Sequence, residues 1–139
     1  MKFILDTNVL SELIKPEPDK NVMEWFDNCP EEKMYISSIT LGEIETGISS
    51  LHPGKKQNQL MLWFGSLQNS FANKTFPVND ITAIRWGEIR GALKRRGKKI
   101  PVIDGLIAAT AITNNAILVT RNTKDFNFPG IDLLNPWLE

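Results

Sequence analysis

Four carboxylates stand beside short apolar runs and the turn or helix-starting residues that follow them: Asp6 in "FILDTNVL", Glu43 in "SSITLGEIETG", Asp104 in "PVIDGLIAATAI" and Asp125 in "ILVTRNTKDF". Gathered with no histidine or cysteine beside them, they would form an all-oxygen site of the kind that selects Mg²⁺ or Mn²⁺ over zinc. The chemistry of such a site is metal-assisted hydrolysis, most readily of a phosphate ester, because a divalent cation acidifies water and neutralises a leaving oxygen.

Each carboxylate also has a plainer reading. Asp6 ends an apolar strand and is either the cap of the next helix or the first piece of a site; Thr7 and Asn8 are equally able caps, which makes a third redundant. Asp104 shares a helical face with Ile107, Ala108 and Ala111, where an unpaired charge is costly and needs a cation, several donors or a proton. Its alternative is a first-turn aspartate favoured by the helix dipole. Thr40 and Glu43 have capping-box spacing, yet Gly42 beside the carboxylate also suits a tight crevice, so the role of Glu43 stays open. A second strand end delivers Thr120, Asn122 and Asp125 into a loop, where ordinary turn chemistry would also place them. Two strand ends and two helix starts that all supply the same sheet edge would be a coincidence for four independent caps.

Other chemistries lack their residues. The one histidine, His52, precedes Pro53 and Gly54 in an expected turn, which disfavours two-histidine and Ser-His-Asp mechanisms. Cys29 has no partner, which excludes an internal disulfide and suits a reducing compartment. There is no phosphate-binding glycine loop or dinucleotide fingerprint. A phosphatase-type site using Asp6 as nucleophile would want a second aspartate where Asn8 stands; a non-catalytic module keeping the acidic pocket only to seat a peptide is the other rival.

The sixteen basic and sixteen acidic residues cancel, so a nucleic acid must be met by a local patch. "LKRRGKK" places Lys94, Arg95, Arg96, Lys98 and Lys99, five cations in six residues, just before Asp104. This is the candidate track for a phosphate backbone, although a solvated helix C-terminus stopped by Gly97 accounts for the same charges. Trp63 and Phe64, at helical spacing, read as core or subunit interface rather than base-stacking surfaces.

The elements that must position these residues alternate along the chain. Strands are expected at Phe3 to Leu5, Met34 to Ile36, Thr75 to Val78, Ala116 to Val119 and Ile131 to Leu133. Helical patterns lie between them, at Val9 to Ile14, Asn21 to Phe26, Ser38 to Ser50, Lys55 to Phe71, Ile81 to Lys94 and Val102 to Thr113. That order implies one α/β domain over residues 1–139, with a mainly parallel sheet of about five strands flanked by helices. A chain of 139 residues, 42% hydrophobic, can bury a real core. No apolar run nears the ~20 residues of a membrane span and no secretory signal is visible, so a soluble cytoplasmic protein is expected.

Four motifs in this order, "LDTNVLSE", "SSITLGEIETG", "DGLIAATA" and "TRNTKDF", with "NPW" near the C-terminus, make the sequence resemble the PIN-domain family, in particular VapC/FitB-type toxins of bacterial toxin–antitoxin pairs. The resemblance implies a Mg²⁺-dependent ribonuclease, with Mn²⁺ as a possible substitute, acting as a homodimer. It also implies a small VapB/FitA-like antitoxin whose tail covers the acidic pocket, and promoter DNA bound only through that antitoxin. Carried onto this chain, the family's acidic positions fall on Asp6, Glu43 and Asp104, with Asp6 and Asp104 as metal ligands and Asn8 and Thr120 as supporting groups. The fourth position, often aspartate, is Asn122 here, which leaves Asp125 as the other group able to fill it.

Overall fold

The computed structural model describes residues 1–126 and 129–138. Five strands, β1 (Lys2–Leu5), β2 (Met34–Ser37), β3 (Thr75–Phe76), β4 (Ala116–Val119) and β5 (Asp132–Leu134), form one sheet in the order β3-β2-β1-β4-β5, and every neighbouring pair is parallel. Six helices connect them: α1 (Thr7–Leu13), α2 (Lys20–Asn28), α3 (Ser38–Ser49), α4 (Lys55–Ser70), α5 (Asp80–Arg95) and α6 (Val102–Thr113). Two single turns of 3-10 helix lie at Glu31–Lys33 and Thr123–Phe126. Strand β3 is shorter than expected and β5 begins one residue later, since only Thr75 and Phe76 find partners on β2.

Alternation along the strands divides the apolar residues between two layers. Leu5, Met34, Ile36 and Val119 face Val9 and Leu10 of α1, Val22 of α2, Ile44 and Ile48 of α3 and the half-buried Trp63, Phe64 and Leu67 of α4. Ile4, Ala116 and Leu118 face Ile107, Ala108 and Ala111 of α6, with Phe126 closing that layer. Helix α6 is nearly apolar all round because α5 covers its outer side. At Gly105 the approach is so close that an added Cβ would lie 2.9 Å from Trp86 Cδ1.

Helix α5 ends as its sequence predicts. Gly97 adopts φ +69°, its N–H bonds the Lys94 carbonyl at 3.0 Å and the Lys98 N–H bonds the Leu93 carbonyl at 2.9 Å, a Schellman motif that glycine makes without steric cost. Pro101 immediately precedes α6. No helix among the described residues is long and apolar enough to cross a membrane.

Candidate active site

Because β1 has β2 on one side and β4 on the other, its C-terminal end is the point where the strand order reverses. Ligand crevices in open parallel sheets form there. Leu5 is in register with Val119, so Asp6 and Thr120 emerge side by side; the Asp6 N–H bonds the Val119 carbonyl at 2.9 Å, and the Thr120 N–H bonds the Leu134 carbonyl at 3.0 Å. The Thr120 hydroxyl, fully buried, donates to Asp6 Oδ2 at 2.8 Å and accepts from Asn8 Nδ2 at 3.2 Å and the Asn122 N–H at 3.1 Å. One donor and two acceptors are thereby all used. Asp6 Oδ1 accepts the Thr7 N–H at 2.8 Å, so Asp6 caps α1 and faces the crevice at once, and the two readings of this residue do not compete. Burial raises the Asp6 pKa, against the opposing pull of the Thr120 and Thr7 donors.

Glu43 is not part of a capping box. The cap of α3 is Ser37, whose hydroxyl accepts the Ile39 N–H at 3.1 Å, which puts Glu43 well inside the helix and leaves Thr40 buried with no partner for its hydroxyl among the described residues. The freed Glu43 carboxylate reaches across to α1 and accepts the Thr7 hydroxyl at 2.7 Å through Oε1. Gly42 makes no crevice, since a methyl group there would meet nothing within 4 Å.

Asp104 sits in the first turn of α6, half-buried, while Ile107, Ala108 and Ala111 of the same helix lie in the core. Burial raises its pKa first, followed by the charges of Asp6, Asp125 and Glu43, so all four acidic groups share one electrostatic neighbourhood. Asp6, Glu43, Asp104, Asn8 and Asn122 line one open cleft of about 400 Å³. Asp125, exposed in the 3-10 turn, is not in its wall and reaches it only through its charge; Asn122 occupies the wall position.

The five cations of the basic run lie outside this wall. All are exposed; Lys94, Lys98 and Lys99 border a separate cleft of about 650 Å³ with Arg90, and Arg96 borders another hollow. The acidic cleft instead holds groups to which the sequence reading assigned no role: Ser11, Glu12, Lys15, Arg121 and Trp137. Glu12 is buried among the apolar residues of α1, accepts Lys15 Nζ and the Asp19 N–H at 2.8 Å each, and its pKa is lowered, chiefly by Lys15. Its position beside Val9, Leu10 and Leu13 was the available signal.

The donor set is oxygen throughout, which suits a hard cation. Among the described residues no three His, Cys, Asp or Glu side chains approach closely enough to bind an ion together. A cleft lined by separate carboxylates suits an ion that keeps much of its water and takes one or two carboxylates plus substrate phosphate, as Mg²⁺ does.

Residues 3–129 match the PIN domain family. Toxin FitB of Neisseria gonorrhoeae is 37% identical over 135 residues, spanning 96% of this chain and 97% of that protein. VapC ribonuclease Y4jK of Sinorhizobium fredii is 36% identical over 138 residues, spanning 96% of each. A chain in the structure of FitAB bound to an IR36 DNA fragment superposes with a TM-score of 0.91 at 37% identity, covering 97% of this chain and 95% of that one. With the match running through β1 to the loop after β4, where the acidic cleft is built, the chain belongs to the PIN-domain family, among its VapC-type toxins.

Proposed function

We propose that this chain is a Mg²⁺-dependent endoribonuclease, the toxin of a VapBC-type toxin–antitoxin pair, and that the cleft at the β1/β4 strand ends is its active site. The observation that carries the reading is that Asp6, Glu43 and Asp104, far apart in sequence, line one cleft in which burial and mutual repulsion raise the pKa of Asp104. A relative named as a ribonuclease, alike over nearly the whole length, supports RNA as the substrate.

Asp6 and Asp104 would hold the ion. When bound, Mg²⁺ supplies positive charge to the scissile phosphate and acidifies a water molecule. Thr120, Asn8 and the Thr7 N–H hold the Asp6 carboxylate in one orientation, and Asn122 extends the polar wall without adding charge. The Thr7 hydroxyl fixes Glu43 through Oε1, and among the described residues no donor engages Oε2. Glu43 therefore positions the attacking water and accepts its proton as the new P–O bond forms and the 3′ oxygen leaves. Asp125 adds negative charge outside the wall, and the basic face with Lys94, Arg95, Arg96, Lys98 and Lys99 lies farther along the path of a long RNA.

The partners follow from the same reading. A groove of about 590 Å³ between α1, α2 and α4, lined by Leu13, Met23, Phe26, Trp63 and Leu67, seats an antitoxin segment, and the antitoxin carries the pair to promoter DNA. Exposed Met61 and Leu62 on α4 and Ile81 and Ile84 on α5 provide apolar surface for a second copy in a cytoplasmic homodimer. The test is cleavage of single-stranded RNA by purified wild-type and Asp104→Asn protein with Mg²⁺, Mn²⁺ or EDTA. Cleavage that needs the ion and falls about 100-fold or more in the variant is expected; equal rates would overturn the proposal in favour of a non-catalytic module acting with the antitoxin.

A further inference from the structure

Two cations line the acidic cleft, and they differ in how far they are committed. Lys15 is tied to Glu12 at 2.8 Å. Arg121 is exposed and, among the described residues, has no carboxylate within ion-pairing distance. Its guanidinium instead lies over the indole of Trp137, 5.3 Å from the ring centroid, and the half-buried Trp137 also lines the cleft.

This pairing is built by specific bonds. Asn135 Nδ2 donates to the Arg121 carbonyl at 3.4 Å, Asn135 Oδ1 accepts the Trp137 N–H at 2.9 Å, and Asn21 Nδ2 donates to the Trp137 carbonyl at 2.9 Å. On the other side, the Arg121 N–H donates to Asn8 Oδ1 at 3.4 Å, and Asn8 also contacts Thr120 and Asp6. The Asn-Pro-Trp segment is thus fastened to the loop that follows β4, within the wall that holds the carboxylates. Trp137 packs against the apolar cluster that includes Leu5 and Val119 and also lies in the wall of the polar cleft beneath the Arg121 guanidinium, so it serves both the core and the cleft.

Resting on the nuclease reading above, we infer that Arg121 and Trp137 form the subsite for the nucleotide next to the scissile phosphate of single-stranded RNA. Arg121, which no carboxylate among the described residues holds, moves off the indole to the adjoining phosphate, and the ring face it leaves is a flat surface on which an unpaired base stacks, which works for any base because every base has a π-face. Arg121 neutralises the adjoining phosphate, as a planar guanidinium does well, and partly offsets the acidic floor that would otherwise repel RNA. The subsite selects for unpaired strands, since a base within a duplex cannot reach the indole.

The test compares Trp137→Leu, which keeps apolar bulk but has no π-face, with Trp137→Phe, which keeps one, on an end-labelled oligoribonucleotide that the wild-type protein cuts. Trp137→Leu raises KM about tenfold with kcat within about twofold, and Trp137→Phe stays near wild type, as loss of one stacking contact predicts. An abasic residue beside the cut costs the wild-type protein the same factor and costs Trp137→Leu nothing further. Equal losses in both variants, or abasic and Trp137→Leu effects that multiply, would overturn the inference.

Fluorescence anisotropy of the same RNA on Asp104→Asn protein, with and without Trp137→Leu, reads binding without cleavage. Wild-type protein that cuts no RNA, with binding that still weakens about tenfold on Trp137→Leu, refutes the nuclease reading and keeps the subsite. Cutting that ignores Trp137 does the reverse, and a protein that neither binds nor cuts refutes both.

Discussion

Replacing Thr120 by valine removes one hydroxyl at nearly constant volume from the centre of the site. That hydroxyl is fully buried and bonds Asp6 Oδ2, Asn8 Nδ2 and the Asn122 N–H. A hydrogen bond to a charged group contributes about 1.5–3 kcal/mol and a neutral one about 1 kcal/mol. The exposed side of Asn122 lets water replace its lost partner, so the net cost at neutral pH, from the bonds to Asp6 and Asn8, is about 3 kcal/mol. The effect depends on pH with a definite sign. Burial already raises the Asp6 pKa above 3.8, and the Thr120 bond pulls it down, so the variant's Asp6 must titrate still higher. A carboxyl whose folded pKa is raised contributes stability that is fully present below the unfolded value and is lost as pH rises through the folded value. The penalty of Thr120→Val therefore shrinks toward about 2 kcal/mol as falling pH protonates Asp6, because both lost bonds are then between neutral groups. Urea unfolding followed by tryptophan fluorescence, in EDTA at pH 7.5 and at the lowest pH where both proteins fold, measures both values. A variant as stable as wild type at pH 7.5, or a penalty that does not change with pH, would refute the reasoning.

The same sign governs the metal. Asp6 and Asp104 both have raised pKa values, so ion-free protein should lose stability as pH rises from 3.8 through those values, and Mg²⁺ should restore it at pH 7.5 by about 2.7 kcal/mol at a hundred times its dissociation constant. A melting temperature indifferent to both Mg²⁺ and EDTA contradicts this. Gly42→Ala, in the exposed interior of α3 with nothing within 4 Å of the added methyl, should raise stability by about 0.8–1 kcal/mol, seen as a higher urea midpoint. Gly105→Ala should cost about 1–3 kcal/mol through the clash with Trp86 and should lower cleavage by shifting its neighbour Asp104; unfolding identical to wild type would show that α5 and α6 are not so close.

What the sequence determined by itself was local. Alternation and helical spacing report which side of an element is buried, which is enough to place six helices and five strands within a few residues, to expect a parallel sheet and to mark Asp6 and Asp104 as unusual, while Glu43 stayed open until the family resemblance pointed to it. Gly97 was legible as a helix stop because only its backbone conformation was at issue. Residue types alone also limited the chemistry to oxygen donors.

The tertiary structure decided everything that depends on distance between remote segments. Thr40 and Glu43 have the spacing of a capping box, but Ser37 starts the helix once β2 is paired, and Glu43 is released to meet Thr7. The basic run stands close to Asp104 in sequence, yet α5 carries it to a different cleft, while Arg121 and Trp137 reach the acidic one. Asn122 and Asp125 are three positions apart, and only the 3-10 turn assigns one to the wall and leaves the other outside it. The physical reason is that burial patterns repeat within a few residues, whereas the site arises where β1 and β4 lie side by side, a pairing that joins positions more than a hundred residues apart and is set by how two layers of helices pack on one sheet.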